Sequence, residues 1–248
     1  GRYIVRGVTA KNNMISGYGD GIKLTWAEDC ICRGNTIRLS QNQMYSNTGI
    51  RVAKGSNIRI LYNDMSGGND YGIYINGTEA AKKICLVYRN TISGFSKDGI
   101  CALRFAAGGR IERSSNLRNG ILIKYTENSI VNGNYTYKNE GKGILLQGCP
   151  SADITDNFSS RNGSNGIEIN AESDNSRIQG NICGSNSKSG LCITDSKGIS
   201  VDGNTFDSNK DYAAEFINSR INSNKDNEFN ENGHSDNIRT KNSKISEE

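Results

Sequence analysis

Two groups of side chains in the 248-residue chain have the types and spacing to do chemistry. Lys23, Arg51, Tyr71 and Tyr74 stand with Asp20 and Asp98 in the N-terminal half. Aromatic faces stack on sugar rings, Arg and Lys pair with uronate carboxylates, and a basic group of lowered pKa such as Lys23 can abstract a proton, as a β-elimination requires. In this group Lys23 is the catalytic candidate, and Arg51, Tyr71, Tyr74, Asp20 and Asp98 are the substrate-binding candidates. The second group is the pair Glu168 and Glu215, which reads as a catalytic carboxyl pair, with Asp195 as a further candidate. The bland alternatives are a solvated sheet face with ordinary cross-strand polar pairs for the first group and unrelated surface acids for the second.

Whether these residues meet depends on the elements that carry them, and those elements repeat. Gly-Ile or a close variant recurs at Gly21-Ile22, Gly49-Ile50, Gly72-Ile73, Gly99-Ile100, Gly120-Ile121, Gly143-Ile144, Gly166-Ile167 and Gly190-Leu191. The mean spacing of about 24 residues is a repeat period. Asn keeps phase with it at 13, 35, 63, 90, 116, 134, 157, 181 and 204. A short alternating stretch precedes each Asn, with apolar or small residues such as Cys30 and Cys32, Ile58 and Ile60, or Ala152 and Ile154. Period two makes these stretches strands with one buried face. A third strand follows the Asn, marked by Ile37, Met65, Ile92, Cys183 and Phe206. Three short strands per period, cornered by Gly and Asn, build one coil of a parallel solenoid. Asn suits the tight corner because it tolerates the left-handed backbone and its amide can bond to the Asn one coil away.

Stacking the coils turns sequence offsets into columns. The residue between the two Ile positions points outward, which aligns Lys23, Arg51, Tyr74, Cys101, Leu122, Leu145, Glu168, Cys192 and Glu215. A flanking column carries Asp20, Thr48, Tyr71, Asp98, Asn119, Lys142, Asn165, Ser189 and Tyr212. Glu168 and Glu215 fall two coils apart, about 9.6 Å between Cα atoms at about 4.8 Å per coil. Inverting glycosidases hold their carboxyls about 6.5 to 9.5 Å apart.

Composition agrees with this reading. The chain has 33 Asn, 29 Ile and 29 Gly but one Pro, and 34% of its residues are hydrophobic. Asn, Gly and Ile are poor helix formers, which excludes a helical bundle, and the recurrence of Ile with so little Pro argues against disorder. No apolar run is long enough for a membrane span. The net charge of +4 is mild, and the basic residues are spread over all coils, so nucleic acid is not the expected partner. Seven Cys leave at least one thiol unpaired in a monomer, and no C-x-x-C pair occurs, so buried thiols made in a reducing compartment are expected. No metal or other cofactor is expected. Calcium held by Glu172, Asp174 and Asp195 is the one alternative, and no loop shows its ligand spacing.

The Gly-Ile-x-Ile strands, such as Gly72-Ile73-Tyr74-Ile75 and Gly166-Ile167-Glu168-Ile169, together with the Asn ladder, resemble the right-handed parallel β-helix proteins of the pectate-lyase-like superfold. The resemblance covers about residues 3 to 221. It implies an all-β solenoid of nine to ten coils and a polysaccharide bound along the outer groove of one sheet, as in polysaccharide lyases and bacteriophage tailspike depolymerases. It also implies an extracellular or virion-surface location and a homotrimer or a larger parent chain, since Gly1 falls at a strand with nothing to cover the first coil. No catalytic residue carries over by motif. The Asp-Pro-His of mannuronan epimerases is missing because the one proline is Pro150, and Gly233-His234 lacks the neighbour that a polygalacturonase has. Residues 1–221 are expected to form the β-helix and residues 222–248 an irregular last coil or arm. The leading expectation is a lyase or glycoside hydrolase acting on an acidic glycan. The alternative is a non-catalytic glycan-binding or structural rod.

Overall fold

The computed structural model describes residues 4–41, 46–76, 85–103, 107–108, 111–116 and 118–246, and Gly1 lies outside the described residues. The chain is a parallel β-helix, and no helix occurs among the described residues. The Gly-Ile strands form the first sheet, of ten parallel strands: Ile22–Thr25, Ile50–Ala53, Ile73–Asn76, Ile100–Leu103, Ile121–Lys124, Ile144–Gln147, Ile167–Asn170, Leu191–Thr194, Ala214–Ile217 and Ile238–Lys241. The strands after the Asn corner form a second ten-stranded sheet, from Met14–Gly17 to Glu228–Asn230. The third wall is split into five strands from Thr9–Lys11 to Ala107–Gly108 and six from Ile130–Asn132 to Lys244–Ile245. All three walls therefore continue past residue 221. Among the described residues no helix is long and apolar enough to cross a membrane.

The core is the narrow column that the pleat demands. Ile50, Ile73, Ile144 and Ile167 point in from the first sheet, Ile37, Met65, Ile92 and Phe206 from the second, and Ile58, Ile60, Ile154 and Val201 from the third. Each such side chain contributes about 2 kcal/mol of apolar burial. Cys30, Cys32, Cys149 and Cys183 fill small gaps in the same column as free, buried thiols.

Buried corners need their backbone groups satisfied, and Asn does this at two corners of the coil. In the first ladder the backbone N–H and Nδ2 of each Asn donate to Oδ1 of the Asn one coil on: Asn13 to Asn35 to Asn63 to Asn90, and again Asn134 to Asn157 to Asn181 to Asn204 to Asn227. Asn116 does not belong here. It opens a second ladder at the next corner, through Asn139, Asn162, Asn186, Asn209 and Asn232. The first ladder breaks where Asn90 is paired with Ile111, next to an irregularity of register.

The Gly of the Gly-Ile pair is explained by space. A Cβ on Gly72 would lie 2.6 Å from the carbonyl oxygen of Gly99, and one on Gly166 would lie 2.7 Å from that of Gly190. Gly166→Ala is therefore expected to cost about 1–3 kcal/mol by forcing neighbouring coils apart. A drop in thermal midpoint followed by circular dichroism measures it, and an unchanged midpoint would show that the coils part freely.

Candidate functional site

The register of the first sheet places Lys23, Arg51, Tyr74, Cys101, Leu122, Leu145, Glu168, Cys192, Glu215 and Arg239 side by side on successive strands. The flanking column follows through backbone bonds one coil apart, from Gly72 N–H to the Asp98 carbonyl and from Gly99 N–H to the Asn119 carbonyl. The middle of the outward column is sheltered despite facing out: Cys101, Leu122 and Leu145 are 3%, 8% and 9% exposed and cluster with Tyr71 and Tyr74.

The N-terminal group is brought together around Arg51. Its Nε donates to Asp20 Oδ2 at 3.0 Å, and its Nη2 to Thr48 Oγ1 at 2.8 Å and Asp70 Oδ2 at 3.3 Å. The guanidinium lies 5.3 Å from the Tyr74 ring centroid, and Tyr71 packs on Tyr74 at 5.0 Å. Lys97 closes the cluster, with Nζ 2.6 Å from Asp70 Oδ1 and 5.1 Å from the Tyr71 ring centroid. Lys23 stands apart, exposed and without an ion pair among the described residues.

Two carboxyls in this cluster are driven in opposite directions. Asp98 is 2% exposed, and burial pushes its pKa above the ordinary carboxylate value. Opposing that, Oδ1 accepts the Asn119 backbone N–H at 3.1 Å and Nδ2 at 2.8 Å, and the cations Arg118 and Lys124 act from nearby. Among the described residues nothing donates to Asp98 Oδ2, and neither Arg118 nor Lys124 is ion-paired. Burial also works to raise Asp70, but hydrogen bonds from Lys97 and Ser46 and the charges of Lys97 and Arg51 overcome it and hold that carboxyl below its usual value. Burial first, then the neighbouring Cys101 and Asp98, pushes Tyr71 up to about 12, so it remains a neutral phenol. Environments that drive two nearby carboxyls apart in pKa are how a site divides acid and base roles.

The C-terminal pair is held differently. Glu168 accepts Asn165 Nδ2 at 2.9 Å and Asn170 Nδ2 at 3.2 Å, and Lys142 Nζ lies 3.4 Å away. Glu215 pairs with Arg239 Nη1 at 2.9 Å. Cys192 separates them by register, and burial pushes its thiol up to about 11. Both carboxylates are thus spoken for by cations of the chain itself.

Asp70 and Lys97 were not among the sequence candidates. Both precede the Gly by two positions, in Asp70-Tyr71-Gly72 and Lys97-Asp98-Gly99, so opposite charges at one offset in successive repeats was the available signal. Soft metal donors are scattered. His234 is the single histidine and stacks on Tyr212, Met65 is in the core and Met14 is 89% exposed. Burial pushes the Cys32 and Cys101 thiols up to about 12. Among the described residues no three His, Cys, Asp or Glu side chains are grouped to hold a metal ion.

Solved structures share this fold at low sequence identity. Tailspike protein 2 from Escherichia coli O157:H7 bacteriophage CAB120 matches 87% of the chain over 35% of its own length, with 15% identity and a TM-score of 0.68. A double mutant of the periplasmic alginate epimerase AlgG matches 98% of the chain over 77% of its own, with 12% identity and a TM-score of 0.61. The A-module of Azotobacter vinelandii mannuronan C-5 epimerase AlgE4 matches 98% over 81%, with 11% identity and a TM-score of 0.57. Among curated proteins none matches the chain in sequence. The sequence profile of the periplasmic copper-binding protein (NosD) family does match, over residues 78–246, which is most of the chain, and the chain belongs to that family.

Proposed function

We propose that the outer groove of the first sheet binds an acidic polysaccharide outside the cytoplasm and that Asp98 is the group that takes a proton from it. The observation that carries this reading is the buried, raised Asp98 beside the ionised Asp70, with Arg118 and Lys124 acting from nearby and without an ion pair among the described residues. A uronate carboxylate neutralised by Arg118 and Lys124 acidifies the adjacent C–H, and a desolvated carboxylate of raised pKa is a stronger base than an exposed one. In an elimination, Asp98 accepts that proton and the C–H electron pair becomes the new double bond. The glycosidic C–O bond breaks, and its oxygen leaves with the bonding pair and collects a proton from the neutral phenol of Tyr71. Tyr71 and Tyr74 supply faces for the sugar ring. The polysaccharide epimerases and tailspike that share the fold support the substrate class by analogy. The hydrolase reading at Glu168 and Glu215 is weaker, because each carboxylate is tied to a cation.

The family description names copper. Copper prefers grouped thiolate, thioether and imidazole donors, and the described residues offer one histidine and separate thiols kept protonated by burial, which do not fit it. No step here involves a metal.

A panel of uronate polysaccharides read at about 235 nm for unsaturated product tests the proposal. Turnover of a polyuronate supports it, and binding without product from any of them makes the protein a non-catalytic glycan-binding rod. The pH profile gives a second test. Since the base must be ionised, kcat/KM is expected to rise with pH through an acid limb lying above the ordinary carboxylate range, and that limb should be missing in Asp98→Asn. A limb at the ordinary carboxylate position would assign the base to an exposed acid.

A further inference from the structure

Aromatic rings occur at two places in the outward and flanking columns of the first sheet among the described residues. One is Tyr71 with Tyr74. The other lies near the far end, where Tyr212 stacks on His234 with ring centroids 4.1 Å apart and planes 10° from parallel. Backbone bonds follow the flanking column from Asp98 through Asn119, Lys142, Asn165 and Ser189 to Tyr212, a separation of about 24 Å at about 4.8 Å per coil.

The surroundings of Tyr212 repeat those of Tyr74. Arg239 lies 5.7 Å from the Tyr212 ring centroid and pairs with Glu215, as Arg51 lies over Tyr74 and pairs with Asp20 and Asp70. Lys188, exposed and without an ion pair among the described residues, sits one coil away, its carbonyl accepting the Asp211 N–H at 3.4 Å. What this end lacks among the described residues is a counterpart of Asp98, a buried carboxyl with an open oxygen: Glu215 is held by Arg239. His234 is exposed, so the outer face of its ring is open to a sugar.

We infer that Tyr212, His234, Arg239 and Lys188 form a distal saccharide subsite that holds the far end of an acidic glycan whose reacting unit lies at Asp98. The inference rests on the proposed function. It makes the protein selective for long chains, because dimers and trimers cannot reach from Asp98 to Tyr212.

Kinetics on a polyuronate and on its trimer, for the wild type, Tyr212→Ala and His234→Ala, test this. Each variant is expected to raise KM for the polymer about fivefold or more while leaving its kcat and both trimer constants unchanged. Tyr212→Trp should restore the wild-type KM. An unchanged polymer KM, or an equal shift for polymer and trimer, overturns the subsite while leaving the reading of Asp98 intact. If the wild type turns over no polyuronate, the catalytic reading fails, and calorimetric binding of the polymer decides the subsite by itself. Weaker binding by Tyr212→Ala than by wild type then supports it, and no difference, or no binding by either, overturns it.

Discussion

Asp98→Asn is expected to lower kcat/KM on a polyuronate by about 10²–10⁴-fold, the usual contribution of a positioned proton acceptor. The fold should survive. Asp98 Oδ1 has the same structural task as Asn119 Oδ1, which accepts the Lys142 N–H at 3.0 Å, and Asn165 Oδ1, which accepts the Ser189 N–H at 3.1 Å. An amide oxygen already does this work one coil and three coils away, so Asn can do it at position 98. The substitution keeps Oδ1 and replaces the ionisable oxygen with an amide NH2 of nearly the same size. A carboxyl whose folded pKa is raised stabilises the fold below its unfolded pKa, and that contribution is lost as pH rises through the folded value. At neutral pH the wild type bears the cost of a buried charge that Asp98→Asn does not. The variant should therefore match or exceed the wild type in thermal midpoint at neutral pH and lose that advantage in acid. Asp70 works the other way: its lowered pKa stabilises above the ordinary carboxylate range, and this is lost as pH falls. A folded Asp98→Asn protein that retains more than about a tenth of the activity would place the chemistry elsewhere in the groove.

Asn181→Ala should cost about 3 kcal/mol or more, a large loss for a single polar substitution. Asn181 is fully buried in the first ladder. Its Oδ1 accepts from both the backbone N–H and Nδ2 of Asn157, and its Nδ2 donates to the Ile154 carbonyl at 2.8 Å and to Asn204 Oδ1 at 3.0 Å. Truncation leaves the Asn157 backbone N–H without its acceptor, reduces Asn157 Nδ2 to its bond to the Val131 carbonyl, and takes the side-chain donor from the Ile154 carbonyl, in a fully buried site where each lost bond costs about 1–3 kcal/mol. For a chain of this size that loss lowers the thermal midpoint by about 10 °C. Asn13 provides the contrast. It is exposed and only donates, to Asn35, so Asn13→Ala should cost under about 1 kcal/mol. Equal effects at the two positions would show that the ladder is not a source of stability.

The difference between these two residues marks how far the sequence can be read. Gly-Ile at a steady period and Asn in phase with it were enough to define a solenoid, because in a solenoid each residue meets its counterpart one repeat away. Periodicity and contact are then the same information, and the outward column from Lys23 to Glu215 follows from counting. The second ladder was legible on the same terms, as Asn139, Asn162, Asn186, Asn209 and Asn232 each lie five residues after a ladder position of their own coil. Asn116 was assigned to the wrong corner because the first ladder is interrupted at Ile111, and a period carries no warning of an interruption.

Ion pairing and burial are not periodic, and the site depends on both. Lys23 has the right column but no ion pair among the described residues, whereas Lys97, at an offset that the pattern passes over, reaches Asp70 and the Tyr71 ring. Glu168 and Glu215 have the spacing of a catalytic pair, and each forms an ion pair, with Lys142 and with Arg239, that the spacing does not reveal. Asp98 and Asp20 occupy one column and differ in what surrounds them: Arg51 pairs with Asp20, while Asp98 lies under its neighbours, with nothing among the described residues donating to its second oxygen. The repeat determines which residues share a face, since the backbone ladder sets the register of every coil. Long side chains then choose among several neighbours within reach, and that choice, with the desolvation it produces, belongs to the folded molecule.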